Sequence, residues 1–267
     1  MKPFINLGLI QIPTFYIIIS LSLCLSILWF GHSKHPDHKN PNNSQTFGYD
    51  LLLIILISGF LGARLFHIIY EEPEYYLLFP LETIKFWNGG FVYYGGFLAS
   101  LAASYFFIRF KKESFFVWAD FLTPFLSLTY MLGRLGCFFE GCCFGKSCAL
   151  PWAIRNQHPT QLYMFFSELL VLSLIIYIEK KRFKKTLTDG FVFMLWLTLS
   201  SVARFIIEFY RADDRGTFII GLSISQIISG LVAIACGIKL YLLTKESTVA
   251  LSTEPVRPEQ TKTPYNP

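Results

Sequence analysis

The sequence predicts an all-α polytopic membrane protein with about seven transmembrane helices. Three observations carry that expectation. Of 267 residues, 53% are hydrophobic, 18% aromatic and 15% charged, whereas a soluble domain carries roughly 25% charged residues. Apolar runs of roughly 20 residues, the length that crosses a hydrocarbon core, recur along the chain. The loops between them alternate in Lys and Arg content, as loops on alternate sides of a membrane do.

The first run extends from about Ile10 to Phe30, behind Met1-Lys2-Pro3. No small-x-small cleavage site follows it and further spans do, so it reads as an uncleaved first helix. Span two runs from about Tyr49 to Tyr70 and contains Arg64 and His67. The acidic Glu71-Glu72-Pro73-Glu74 leads into Tyr75–Trp87, a mixed aromatic and apolar stretch suited to the membrane interface. Span three covers Gly89 to Ile108, and span four covers Phe115 to Phe138 with Asp120, Pro124 and Arg134. After an irregular stretch from Phe139 to His158, spans five, six and seven cover about Thr160–Ile178, Gly190–Ile207 and Leu222–Leu243.

The most basic loops follow spans one, three and five. The bias of Lys and Arg toward the cytoplasm places these loops inside, the N-terminus outside and the C-terminus in the cytoplasm. Residues 1–244 form a single membrane domain on this reading, and the Pro-, Thr- and Glu-rich residues 245–267 a disordered cytoplasmic tail. The net charge of +5 is a topology signal. No basic stripe or stacking platform supports a nucleic-acid partner.

Charges inside spans are costly and are usually paired or functional. Arg64, Arg134, Arg204 and Glu208 are of this kind. Arg134 and Arg204 fall near the outer ends of their spans, where an arginine can snorkel to the interface. Their glycine-rich or acid-paired surroundings favour anion binding instead, because a guanidinium stays charged when buried and offers a planar fork to phosphate oxygens. For Arg64, pairing with an acid such as Asp120 and a functional role are equally open. Gly133 and Gly136 suit helix packing as well as close approach of a ligand.

Five motifs, in order and at family spacing, carry a resemblance. Gly133-Arg-Leu-Gly-Cys-Phe-Phe-Glu-Gly-Cys-Cys-Phe-Gly145 is similar to the signature Gly-Arg-x-Gly-Asn-Phe-x-Asn-x-Glu-x-x-Gly of the prolipoprotein diacylglyceryl transferase family. Trp87-Asn-Gly-Gly-Phe-Val-Tyr-Tyr-Gly-Gly96 resembles the family's Trp-x-Gly-Gly-Met-x-x-His-Gly-Gly, and His158-Pro-Thr-Gln-Leu-Tyr163 its His-Pro-Ser-Gln-Leu-Tyr. Arg204-Phe-Ile-Ile-Glu-Phe-Tyr-Arg211 with Asp214, and Ser223-Ile-Ser-Gln226, resemble two further family patterns.

The resemblance implies transfer of a diacylglyceryl group from phosphatidylglycerol to the lipobox cysteine in a prolipoprotein signal peptide, with release of glycerol phosphate. It implies membrane lipid as surroundings, a bacterial cytoplasmic (inner) membrane location and no cofactor or metal. By the same resemblance Arg134, Arg204, Tyr94 and Tyr16 are catalytic, with Arg134 on the lipid phosphate. Gly95, Gly96, Glu140, Glu208 and Arg211 bind substrate or order its surroundings. The chain departs from the family in places. Tyr94 stands where the family has a histidine, Cys137, Glu140 and Cys142 replace Asn, Asn and Glu, Met164 replaces a Glu, and Ser200 a Tyr. Two alternatives follow from these departures: a paralogous lipid transferase with a different acceptor, and a non-enzymatic lipid-binding or redox protein built on Cys137–Cys148.

Cys24 and Cys236 sit alone in apolar spans and read as inert core residues. Cys137, Cys142, Cys143 and Cys148 cluster without the paired C-x2-C spacing of ordinary zinc sites. On the outward face, one or two structural disulfides bracing the loop is the leading expectation, with metal binding and thiol chemistry as alternatives. His32, His35 and His38 with Asp37 read as a solvated loop, His67 as a hydrogen-bonded core histidine and His158 as ordering the loop before span five.

Overall fold

A computed structural model describes residues 4–7, 10–33, 44–86, 89–180, 187–212, 217–219 and 221–253. The chain is helical, with two short ribbons. β1 (Phe4–Leu7) pairs antiparallel with β2 (Ile10–Pro13). There follow α1 (Thr14–His32), α2 (Ser44–Phe66), α3 (Pro73–Leu78), α4 (Tyr93–Phe110), α5 (Phe115–Glu140), α6 (Thr160–Lys180) and α7 (Phe191–Glu208). A second ribbon of β3 (Thr217–Ile219) and β4 (Leu222–Ser223) leads into α8 (Ile224–Thr253).

Among the described residues, six helices are long and apolar enough to cross a membrane, and Gly95–Phe110 is a shorter apolar helix in the place expected for span three. This is a multi-pass membrane protein. Many of its apolar side chains lie on the outside of the helices, as Leu170, Leu231 and Ile234 show, which suits a lipid solvent. Two boundaries differ from expectation. The first helix begins at Thr14 rather than Ile10, because Ile10–Pro13 is taken up in the ribbon with Phe4–Leu7. The last helix continues past Lys245 to Thr253; residues 254–267 lie outside the described set.

The chain divides into two compact units, Leu28–Phe121 and Met1–Ile27 with Leu122–Pro267. In the first unit α2 and α4 cross at glycines. A Cβ on Gly95 would lie 2.2 Å from Phe66 Cβ and 2.6 Å from the Gly62 carbonyl oxygen, so only glycine permits this approach. Gly96 meets the Gly59 carbonyl in the same way. Both glycines are buried against α2. Phe47 stacks on Phe107 and packs on Trp118 to form an aromatic core in this unit.

Arg64 donates to the carbonyls of Glu82 (2.8 Å), Thr83, Lys85, Gly89 and Gly90. Its guanidinium fastens the segment between α3 and α4 rather than pairing with Asp120. Tyr76 and Phe91 flank it as ring partners. His67 is hydrogen-bonded as expected, to Glu71 at 2.6 Å. The short helices over 73–83 carry strongly exposed Leu77, Leu78 and Leu81, in keeping with an interfacial segment.

In the second unit Val171, Ile175 and Val192 form a buried core with Phe191, Trp196 and Leu199. Beside it Glu168 is 1% exposed and accepts hydrogen bonds from Ser127 (2.6 Å), Trp196 Nε1 (2.5 Å) and Ser200 (2.8 Å). One carboxylate thereby ties α5, α6 and α7 together. Ser26 on α1 meets Thr129 on α5 at 2.9 Å, and Phe15 packs against Gly136.

Candidate functional site: four helix ends, three arginines and three thiols

The second unit brings together the C-terminal ends of α5 and α7 and the N-terminal ends of α6 and α8. Each junction is made by a sequence motif. Ser223 and Gln226 form a reciprocal cap on α8: the Ser223 amide donates to Gln226 Oε1 (2.9 Å), and the Gln226 amide donates to Ser223 Oγ (3.2 Å). This is the Ser-x-x-Gln capping box. The Ser223 hydroxyl also donates to Glu208 Oε1 at 3.4 Å, which fastens the start of α8 to the end of α7.

His158-Pro-Thr-Gln orders the cysteine loop from the start of α6. Thr160 Oγ1 donates to the Cys143 carbonyl at 2.6 Å, and Gln161 Nε2 donates to the Cys142 carbonyl. The Gly145 amide donates to the His158 carbonyl (2.8 Å), and the Lys146 amide to the Tyr210 carbonyl (2.8 Å). Gly145 lies so close to Tyr210 that a Cβ there would fall 2.4 Å from its carbonyl oxygen. That is why the signature ends in glycine. His158 orders the loop, as expected, with its Nδ1 3.1 Å from the Tyr163 hydroxyl.

Two guanidiniums gather around one carboxylate, with Arg134 near enough to act on Arg204. Arg204 pairs with Glu208 at 2.8 Å, one helical turn away, and Arg211 Nε approaches the same oxygen at 3.5 Å. The Glu208 charge attracts Arg204, and the charges of Arg134 and Arg211 repel it. Arg134 lies over the Tyr130 ring and donates to its hydroxyl at 3.1 Å. Glu208 and Arg211 are buried. Among the described residues, the Arg204 Nη1 nitrogen is buried with no hydrogen-bond partner. An orphan buried donor on a charged group is costly, and an oxyanion is the ligand that satisfies it. Glu140 Oε2 is likewise buried without a partner.

All six cysteines are free thiols, so the expected disulfides are not formed in this structure. Three of the four candidates still converge: the Sγ atoms of Cys137, Cys142 and Cys143 lie within 4.8 Å of one another. Cys148 is buried apart from them, its sulfur accepting from the Leu150 amide. Cys143 has φ +64°, a left-handed conformation that costs a non-glycine residue about 1–2 kcal/mol and is held by the Thr160 bond. The thiols of Cys137 and Cys142, with the Arg211 guanidinium, hold Cys143 below the usual thiol range. Contact with the thiols of Cys137 and Cys143 pushes Cys142 up.

Of the expected site residues, Arg134, Arg204, Glu208 and Arg211 are thus brought together. Tyr16 is 56% exposed on the first turn of α1, with its ring against Phe15 and no hydrogen bond to the arginines. Tyr94 belongs to the other unit, in the first turn of α4; its side chain, Trp87, Asn88, Asp214 and the histidine tract at 35–38 lie outside the described residues. Glu168, Thr160, Gln161 and Tyr130 were not singled out from sequence. Glu168 carried a signal, being a carboxylate inside an apolar span one helical turn beyond Met164.

A family model described as prolipoprotein diacylglyceryl transferase matches residues 2–243. The chain belongs to that family. A phosphatidylglycerol--prolipoprotein diacylglyceryl transferase of Polynucleobacter asymbioticus is 32% identical over 219 residues, covering 76% of this chain and 82% of the relative. Proteins of the same name from Tolumonas auensis and Cupriavidus metallidurans are 36% identical over 197 residues and 30% over 232. The former alignment covers 68% of this chain and 76% of the relative, the latter 83% and 84%. In the diacylglyceryl transferase family frame, Met164 and Glu168 acquire a meaning. The family's glutamate at 164 is a buried methionine here, and the buried carboxylate stands four residues later on the same helix.

Proposed function

We infer that the chain transfers the diacylglyceryl group of phosphatidylglycerol to the lipobox cysteine of a prolipoprotein and releases glycerol phosphate. Family membership and the names of its relatives support this reading. The observation that carries it into the site is the unpartnered Arg204 Nη1 beside Arg134 and Arg211. A phosphodiester oxygen placed there accepts from Arg204 and Arg134. The same guanidiniums then meet the charge that develops on the departing phosphate when sulfur attacks the glyceryl carbon. Preorganised donors of this kind are each worth roughly 100- to 1000-fold in rate.

Glu208 sets the pose of this array by holding Arg204 and Arg211 from one carboxylate. Tyr94 stands in the family's histidine position. The loop-charge pattern supports a position of the four helix ends at the outer face of a bacterial cytoplasmic membrane, where an exported prolipoprotein presents its cysteine. Purified protein in phosphatidylglycerol micelles should move labelled glyceride onto a lipobox peptide. Folded protein that leaves the peptide unmodified would overturn the reading.

A further inference from the structure

We propose that Cys137, Cys142 and Cys143 hold a zinc ion whose open fourth position takes the acceptor cysteine and presents it as a thiolate. The proposal rests on the diacylglyceryl transfer reading above.

Catalytic zinc sites pair three protein ligands with one open position, and thiolates are preferred zinc ligands. With zinc–sulfur bonds of ~2.3 Å, the sulfurs of a tetrahedral site lie ~3.8 Å apart. The three Sγ atoms are already within 4.8 Å of one another, so small side-chain rotations close the site. The ligands sit on a fixed frame. Cys137 is in the last turn of α5, and the carbonyls of Cys142 and Cys143 are held by Gln161 and Thr160. Cys142 is exposed, which leaves a way in for metal and substrate. Three thiolates and Zn2+ leave one negative charge, and the Arg211 guanidinium beside Cys143 is placed to balance it.

The chemistry answers a need specific to this chain. The reaction alkylates a thiol, which has a pKa of about 8.5 and must first lose its proton. The family's histidine is replaced by Tyr94, a weak base at neutral pH, with a pKa of about 10. A thiol that coordinates zinc is deprotonated outright. The acceptor R–SH binds the open position and its proton leaves to solvent. The sulfur lone pair then forms a C–S bond with the glyceryl carbon as the C–O bond to phosphate breaks. Glycerol phosphate leaves with the bonding electrons. The product thioether carries no charge, so it is a weaker ligand and departs.

Full-length protein purified with zinc should carry about one zinc per chain. Cys24→Ser should retain it and Cys137→Ser should lose it. With cobalt(II) in place of zinc, the sulfur-to-metal absorption should shift when a lipobox peptide is added, and should stay unchanged with a peptide carrying serine for cysteine. Stripping the metal should slow transfer at least 100-fold, with recovery on adding zinc. If Cys137→Ser fails to fold, the wild-type chain decides: zinc should protect Cys137, Cys142 and Cys143 from iodoacetamide while Cys24 reacts unchanged. Equal alkylation with and without zinc, a cobalt spectrum indifferent to the cysteine peptide, or undiminished transfer by metal-free protein would each overturn the proposal. A chain that binds zinc and shows the peptide-dependent shift, yet moves no glyceride, would refute the transfer reading while leaving the metal site standing.

Discussion

Arg64 and Arg204 are both arginines in apolar helices, one in each unit, and the sequence presents them alike. Their hydrogen bonds separate them. Arg64 faces five backbone carbonyls, and its donors are taken up by the turn between α3 and α4. Among the described residues, Arg204 has one carboxylate partner, two repelling guanidiniums and a buried nitrogen with nothing to donate to. The first arginine completes the protein's own backbone, while the second keeps a donor that no other described residue satisfies. Burial of charge alone does not distinguish structure from function; the count of unsatisfied donors does.

The sharpest way to break this comparison is to remove each arginine in turn. Arg204→Ala and Arg134→Ala should lower the turnover of glyceride transfer by about 100- to 1000-fold, while detergent-resistant folding persists. Arg204→Lys, which keeps the charge but not the fork, should recover only a part of that loss. Arg64→Ala should do the reverse. It leaves several carbonyls unpaired and should cost about 2–4 kcal/mol of stability, read as a lower unfolding midpoint, with activity per folded molecule largely retained. Loss of turnover without loss of stability in Arg64→Ala would erase the distinction.

Two smaller effects sharpen it. Glu168→Ala strands three donors on α5 and α7 and should destabilise the Arg204 unit by about 2–3 kcal/mol. Glu168→Gln should cost less, since it preserves one acceptor. Ser223→Ala removes the α8 cap and should cost about 1 kcal/mol. Because Ser223 also reaches Glu208, a modest rise in the Michaelis constant for lipid should accompany it.

Hydropathy placed the helices within a few residues, because a span needs a run of about 20 apolar side chains and little else. The exceptions lie where short-range pairing competes with the helix, as at Ile10–Pro13. Arg134, Arg204, Glu208 and Arg211 were legible as costly charges and as motif members. Thr160 and Gln161 were visible as motif letters, but their work on the Cys142 and Cys143 carbonyls was not. Such a contact joins residues about 18 apart through an irregular loop that no periodicity describes. Gly95 and Gly96 were legible as signature letters, but their close approach to Phe66, Gly62 and Gly59 was not. Convergence of Cys137, Cys142 and Cys143 depends on the left-handed turn at Cys143, and spacing alone does not reveal it.

The pairing of Gly145 with Arg211, and of Lys146 with Tyr210, has a consequence in time. The loop bearing the thiols leaves the ribosome roughly 66 residues ahead of its partner strand, a lag of ~3–13 s at ~5–20 residues per second. During that interval Cys142 and Cys143 lack the backstop that Tyr210 and Arg211 later provide. Arrival of the seventh helix therefore sets the moment at which the thiols become a shaped site, and the oxidant or metal that reaches them first meets an unfinished loop.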